Sequence, residues 1–215
     1  MKVHNPKLES QTTSAPQSSR GRERYARILD AATDRFLHEG YAQTSIDGIL
    51  EQSGGSKATL YSYFPTKDDL FRAVIDSVVL NRQQPMLDIQ QDIRATLVEY
   101  GVQRLRVVFS TQHRALLRVI IAERQKFPDL ASTYFERGPQ WGRQLLGAYL
   151  DKLKQDGLIA IENTAEATGQ FVAMLMHQWY LQSLLIDMEA PSDTAIREKA
   201  ERTVSLFLAT YNIDL

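Results

Sequence analysis

Residues 54–71 read GGSKATLYSYFPTKDDLF, and this stretch decides how the whole sequence is interpreted. The stretch begins with two glycines and has a proline at position 65, so a short helix is predicted over 57–64 between two helix breakers. Ser56 is placed to cap that helix. Only Leu60 and Phe64 are well positioned for burial, and hydroxyls, lysine and tyrosines make up most of the remainder. This composition is unusual for a core helix and typical of one that lies against a phosphate backbone.

The flanking sequence predicts a helix-turn-helix. Apolar residues recur at three- and four-residue spacing from about residue 22, and Gly40 ends that helix. Thr44 and Ser45 are both suited to cap a short helix over 46–53, which stops at the glycine turn. After the proline, Thr66 opens a capping box and a longer helix that runs to about residue 82. Two short helices joined by a tight glycine turn, with a third helix before them, follow the helix-turn-helix plan.

Helix N-termini, short hydroxyls, lysines and long phenols are natural partners of DNA phosphates and base edges. Four residues of the second short helix are candidates for base contacts: Lys57, Thr59, Ser62 and Tyr63. The structural alternative is that Tyr61, Tyr63 and Phe64 are simply core aromatics. The complete set of predicted DNA-contacting residues is Arg22, Arg24, Thr44, Ser45, Ser56, Lys57, Ala58, Thr59, Tyr61, Ser62, Tyr63 and Lys67.

Composition excludes several classes of protein. The 215-residue chain has no cysteine, which excludes a disulfide framework, a thiolate zinc site and a cysteine nucleophile. Its four histidines lack metal-ligand spacing, and no catalytic motif or phosphate loop is found, so neither an enzyme nor a cofactor is expected. The net charge of −1 disfavours an architectural protein that binds DNA without sequence preference. We find no signal peptide and no membrane-length apolar run, and expect a cytoplasmic protein.

The rest of the chain predicts an all-α protein. Residues 1–20 are polar, and arginines follow at positions 20, 22, 24 and 27, which indicates a disordered arm with a basic end. The DNA-binding domain is expected over 21–67, and a helical effector-binding and dimerisation domain over 68–215. Helical periods in this second domain cover 86–109, 114–126, 130–137, 140–155, 165–188 and 193–211.

The last two helices predict a dimer. The helix over 165–188 is apolar on all sides, and the one over 193–211 carries a continuous apolar stripe. A two-fold four-helix interface would cover both, although burial within one monomer is the alternative. The predicted interface residues are Phe171, Leu175, Trp179, Ile196, Ala200, Val204, Phe207 and Tyr211.

Residues 22–71 closely resemble the DNA-binding domain of TetR-family transcriptional regulators, through TSIDGI at 44–49, SKATLYSYF at 56–64 and KDDLF at 67–71. The resemblance places Thr44, Tyr61 and Lys67 on the family's phosphate-contact positions, and Lys57, Thr59 and Tyr63 on its recognition helix. Leu50 and Ser53 replace the usual alanines, and Gly55 replaces a valine. Residues 110–185 are similar to the AefR-like subgroup, through LLRVIIAE, FPDLA and YFERGP.

The resemblance implies a ligand pocket in the helical body and a dimer that pairs its last two helices. We therefore expect a repressor that binds a palindromic operator in double-stranded DNA and is released by a small, largely apolar or aromatic effector. The alternative is a helical protein that binds small molecules without reading an operator. The candidate ligand-binding residues are Phe109, His113, Tyr134, Trp141, Met174 and His177.

Overall fold

The computed structural model describes residues 16, 18–79, 87, 92–186 and 189–213, without the side chains of His177 and Gln178. The described chain is all-α, as predicted, and no helix in it is both long and apolar enough to cross a bilayer. Its ten α-helices are α1 (Ser19–Glu39), α2 (Ile46–Ser53), α3 (Lys57–Tyr63), α4 (Lys67–Val79), α5 (Ile93–Phe109), α6 (Thr111–Glu123), α7 (Pro128–Phe135), α8 (Trp141–Gln155), α9 (Thr164–Leu185) and α10 (Asp193–Thr210).

The capping residues explain where the N-terminal helices begin. Ser45 accepts a hydrogen bond from the amide of Gly48 at 3.0 Å, and Ser56 accepts one from Thr59 at 3.2 Å. The amide of Asp69 donates to the Thr66 hydroxyl, and the Asp69 carboxylate accepts from the Thr66 amide, each at 3.1 Å. These bonds satisfy donors that a helix start leaves unpaired. The caps at Ser45 and Ser56 and the capping box are confirmed, whereas Thr44 does not cap α2, because its hydroxyl donates to the carbonyl of Gly40.

Three predicted helix starts were wrong. Helix α5 begins at Ile93 rather than near residue 86, because Leu87 and Asp92 are not helical and the Asp92 side chain caps the helix by accepting from the amide of Ala95. Helix α1 begins at Ser19 rather than near residue 22, because the Ser18 side chain accepts from the amide of Gly21 and caps the helix there. The last two residues of the predicted arm are therefore helical, and residues 1–15 and 17 lie outside the described residues. Helix α6 begins at Thr111 rather than at residue 114, because the Ser110 hydroxyl accepts a hydrogen bond from the amide of His113 at 3.2 Å.

The predicted break at Gly138 and Pro139 is also wrong. A π-helical turn, Glu136–Gln140, joins α7 to α8 without an intervening loop. Proline cannot make the hydrogen bond of an α-helix interior, whereas a π turn has a locally widened bonding register. The chain therefore passes the proline by changing helix type.

The described chain divides into two compact units. One, here called the head unit, is formed by the described parts of residues 6–81 and 115–137. The other, the body unit, is formed by the described parts of residues 82–114 and 138–215. The head unit thus contains α1 to α4 together with a later segment of chain that includes α7. The expected boundary between residues 67 and 68 stays a prediction for the functional domains.

The head unit is built around α1. Its buried residues include Ile28 and Phe36, and Phe36 packs edge-on against Phe71 of α4 with ring centroids 4.9 Å apart. An ion pair between Asp76 of α4 and Arg137 joins the residues after α7 to the same unit. Burial raises the pKa of the Asp76 carboxyl, and the guanidinium beside it opposes that shift. The head unit therefore fixes α4 from two sides.

The body unit has a continuous apolar core between α5, α8, α9 and α10. Six of the eight predicted interface residues lie in this core, so for them the assignment to a dimer interface is corrected. The stripe on α10 packs against α5 and α9 of its own chain, which accounts for its apolar character without a second protomer. The six buried residues are Phe171, Leu175, Ile196, Ala200, Val204 and Phe207. The other two, Trp179 and Tyr211, are half-buried beside the core.

The α5–α10 contact is close because position 101 has no side chain. A methyl group on Gly101 would lie 3.1 Å from the Ala200 methyl and 3.3 Å from Leu175. The Ala200 methyl is fixed to its backbone, so Gly101→Ala forces the two helices apart. We expect a loss of about 1–2 kcal/mol in the free energy of unfolding, measured by urea denaturation at fixed protein concentration.

Gly147→Ala on α8 is the matched control. A methyl group there would meet only the Thr168 hydroxyl, at an ordinary 3.5 Å. The better helix former should stabilise the protein by about 0.5–1 kcal/mol. Stabilisation by both substitutions would contradict the close approach of α5 and α10.

Candidate nucleic-acid interface

The turn between α2 and α3 depends on two glycines. Gly54 has φ 73° and ψ 162°, a combination open almost only to glycine, and Gly55 has φ 110°. A methyl group on either would meet no atom within 4 Å. Glycine is therefore required by backbone conformation and not by crowding. Gly55, which departs from the family's valine, has a defined conformational role in this turn.

One face of α3 is fixed by burial. Leu60 and the C-cap residue Phe64 are fully buried, as predicted. Tyr25 of α1 packs against Phe64 with ring centroids 4.9 Å apart, and edge-on against Tyr63 at 5.8 Å. Tyr63 is consequently half-buried, so part of its ring belongs to the core, as the alternative interpretation suggested.

The other face of α3 is open. Tyr61 is 43% exposed, and Lys57, Ala58 and Ser62 are exposed as well, while Thr59 is partly covered. Around this face, the capping residues Ser45 and Ser56 are exposed, with their hydroxyls engaged by backbone amides. In α1, Arg22 is exposed and Arg24 is half-buried. The fold therefore leaves most of the predicted contact residues accessible at its surface.

Lys57 lies within reach of an acid. Its ammonium is 2.8 Å from a carboxylate oxygen of Asp47 in the first turn of α2, and both side chains are well exposed. The hydrogen bond from Lys57 to Asp47 raises the pKa of the lysine. An exposed pair of this kind contributes little to stability. Its ammonium can therefore exchange the carboxylate for another anion at small cost.

Two of the predicted DNA-contacting residues, Thr44 and Lys67, make contacts within the head unit. Thr44 is 2% exposed, and its hydroxyl donates to the carbonyl of Gly40 at 2.8 Å, so it presents no free surface in this conformation. The Lys67 ammonium lies 4.5 Å from the ring centroid of Tyr41, and burial lowers its pKa. The structure therefore gives Lys67 a cation–π contact in the head unit.

The candidate ligand residues are divided between the two units. Phe109 and His113 are buried in the body unit, and Trp141 and Met174 are half-buried there. Burial and the nearby Arg104 lower the pKa of His113 to about 4. Tyr134 belongs to the head unit, and the side chain of His177 lies outside the described residues.

Helices α9 and α10 carry exposed apolar residues that the sequence analysis missed. Leu181 and Leu185 lie one turn apart on α9 and are 58% and 72% exposed, and Leu206 of α10 is 60% exposed. Leu206 also borders an open surface groove of about 420 Å³ on α10. The sequence shows that α9 is apolar on all sides, but this pattern does not distinguish the face that is buried in the core from the face that is exposed.

Two family models match the sequence. The model of the TetR family of bacterial regulatory proteins matches residues 28–74, which cover most of the helix-turn-helix. The model of the C-terminal domain of AefR-like transcriptional repressors matches residues 95–213, which is more than half of the chain.

Similar proteins span nearly the whole length. An uncharacterised HTH-type transcriptional regulator of Bacillus subtilis, YvkB, is 27% identical over 87% of this chain and 97% of its own. The crystal structure of a TetR-family regulator from Mesorhizobium loti superposes with a TM-score of 0.74, at 25% identity over 91% of this chain and 99% of its own. The flavonoid-responsive regulator FrrA superposes with a TM-score of 0.72, at 29% identity over 88% of this chain and 97% of its own.

Because its backbone conformation excludes other residues, Gly54 is a sharp test of the turn. Gly54→Ala should lower the free energy of unfolding by about 1–3 kcal/mol, measured by urea denaturation followed by circular dichroism. Glu51→Ala, on the exposed side of α2, is the control and should stay within about 0.5 kcal/mol of wild type. An unchanged stability in Gly54→Ala would show that the turn has another conformation.

Proposed function

This chain belongs to the TetR family of bacterial transcriptional regulators, and we propose that it is a homodimeric repressor that a small effector releases from a palindromic operator. The observation that carries the proposal is the division of α3 into two faces. Leu60 anchors the helix in the head unit, while Lys57, Ala58, Tyr61 and Ser62 remain exposed. A capped helix with such a face is suited to the major groove.

The open face of α3 supplies two kinds of contact. Lys57 provides mobile charge for a phosphate once it leaves Asp47, and Tyr61 provides a long phenol. Contacts of this kind position a protein on DNA, whereas side chains that reach base edges specify the sequence. Thr59 and Ser62 are placed for the second role. The overall charge of −1 means that this local surface carries the attraction.

We propose that the exposed leucines of α9 and α10 form the dimer interface. Leu181, Leu185 and Leu206 place three large apolar side chains in solvent on neighbouring helices, at a cost that a partner protomer would remove. The buried stripe on α10 supports these helices from within. Two protomers would then present two copies of α3 to half-sites about 34–36 Å apart.

Aromatic residues of the body unit and the name of one similar protein support a class of effector. Phe109 and Trp179 pack edge-to-face with ring centroids 6.0 Å apart, and Met174 lies partly buried beside the same core. Aromatic and thioether side chains of this kind are the groups that bind small aromatic molecules, so we propose that the effector binds beside them. The relative FrrA is named for its response to flavonoids, and we propose a planar aromatic effector for this chain too. It would release DNA only to the extent that it binds the DNA-free state more tightly.

Selection from a random duplex pool tests the function. We expect a palindrome to be enriched, with a large ratio of specific to non-specific affinity across a range of salt concentrations. Failure to enrich any sequence, with only weak and salt-sensitive binding, would contradict an operator-reading repressor and favour a helical protein that binds small molecules alone.

Lys57→Ala tests the open face of α3 on the selected operator. Loss of one phosphate contact should weaken binding to specific and scrambled duplexes alike, and reduce the slope of log affinity against log salt by about one. Fluorescence anisotropy at four salt concentrations measures this slope. Lys126→Ala, an exposed lysine of the same unit, is the control and should leave the slope unchanged. Equal slopes for wild type and Lys57→Ala would place Lys57 away from DNA.

Leu185→Asp tests the dimer surface. A carboxylate on this exposed position should be harmless in a monomer and costly in an apolar interface. We expect the variant to be monomeric by sedimentation and to lose at least tenfold in operator affinity, with its helical content intact. Leu158→Asp, a similarly exposed leucine of the body unit outside α9 and α10, should remain dimeric. A dimeric Leu185→Asp would move the interface elsewhere.

A further inference from the structure

Arg104 of α5 is a buried cation that the proposed function does not explain. Its side chain is only 8% exposed. Within the part of the chain that the structure describes, its guanidinium has neither a hydrogen bond nor an ion pair. Arg106, two positions along, pairs with Asp193 at 3.0 Å. A guanidinium carries five donors and stays charged, so a buried one without an acceptor is uncommon in a folded protein.

The described residues around Arg104 include no acid that pairs with it, and Gly142 packs closely against its guanidinium. The Tyr100 hydroxyl, one turn earlier on α5, donates to the carbonyl of Gly142 at 2.9 Å. A methyl group on Gly142 would lie 3.0 Å from the guanidinium carbon of Arg104, so the glycine makes room for that group. His113 is close enough for the charge of Arg104, together with burial, to lower its pKa to about 4. The imidazole is therefore neutral at physiological pH.

Acidic residues on neighbouring helices are engaged elsewhere. Glu99 of α5 lies 3.5 Å from Arg197, and Asp193 is held by Arg106. The positive charge of Arg104 is thus left without a compensating carboxylate in the body unit as described. Such a charge is stabilised when an anion enters its site.

We infer that Arg104 binds the negatively charged group of the effector, a carboxylate, sulfonate or phenolate carried on an aromatic body. The planar guanidinium matches a planar or trigonal array of acceptor oxygens. The body unit that holds Arg104 also supplies the aromatic pair Phe109 and Trp179. This inference rests on the proposed function, because it takes the body unit as the effector domain. It narrows the effector from an apolar aromatic molecule to an aromatic anion.

A pair of fluorescent probes isolates the anionic group. The anion 8-anilinonaphthalene-1-sulfonate and the neutral N-phenyl-1-naphthylamine share the same ring system and differ by the sulfonate. Both are titrated into the folded full-length protein, and affinity and stoichiometry are read from the fluorescence. We expect saturable binding of the sulfonate, one molecule per protomer, with higher affinity than the neutral probe.

Arg104→Met keeps the volume and removes the charge. The sulfonate should bind at least tenfold more weakly to this variant, while the affinity of the neutral probe should stay within twofold. The melting temperature should not fall, because the arginine has no partner to lose among the residues that the structure describes. Arg106→Met is the matched control from the same helix and should leave both affinities unchanged. Gly142→Ala is a second variant, whose methyl group displaces the guanidinium and should weaken binding of the sulfonate alone.

The inference is overturned if Arg104→Met binds the sulfonate as wild type does, or if both probes lose affinity equally. A lower melting temperature with loss of both probes would make the arginine structural and would also overturn it. Operator binding is measured on the same samples with the selected duplex. If wild type binds its operator but the affinity for the sulfonate does not depend on Arg104, only this inference fails. If the sulfonate depends on Arg104 and no operator is found, only the repressor function fails.

Discussion

The burial of two side chains, Leu60 and Phe64, is the constraint on which the DNA-facing surface depends. Helix α3 has seven residues, and isolated helices shorter than about 12 residues are marginal in water. Its position is therefore fixed by tertiary packing. Both anchors are fully buried, and Tyr25 of α1 closes over Phe64. Burial of side chains of this size contributes about 1.5–3 kcal/mol each, which is enough to hold a single capped helix against its neighbours.

Because the anchors and the glycine turn hold α3, the exposed side chains of the helix contribute little to its position. Lys57, Ala58, Tyr61 and Ser62 lie on the surface, and the ion pair between Lys57 and Asp47 is too exposed to stabilise the fold much. The residues that would set the operator sequence can therefore change without disturbing the head unit. Thr44 differs, since its hydroxyl is used by the loop before α2.

Local chemistry made part of the structure predictable from sequence. The caps at Ser45, Ser56 and Thr66 act over three residues, so a single chain segment contains all the information they need. The partner of an apolar face is not local. The α10 stripe showed that Phe207 and its neighbours must be buried, but only the fold shows that α5 and α9 of the same chain cover them.

For Arg104, the sequence could predict the burial of the side chain but not its lack of an acidic partner. Leu97, Tyr100, Leu105 and Val108 are all buried on α5, so periodicity places the arginine beside the core. That no described acid pairs with it is a property of the assembled body unit and could not be predicted from residue spacing.

Each proposed site holds a cation that would bind an anionic ligand, and the two sites differ in the free-energy cost of keeping that cation without its ligand. The ammonium of Lys57 is exposed to water, so the absence of a bound phosphate costs little free energy, and the head unit is stable without DNA. The Arg104 side chain is largely buried, where unmade hydrogen bonds to a charge are expensive. A ligand that supplies the missing acceptor makes these hydrogen bonds and so stabilises the conformation to which it binds. A buried, unpaired cation in the body unit is therefore a source of binding energy that an effector can use to bias the protein between states.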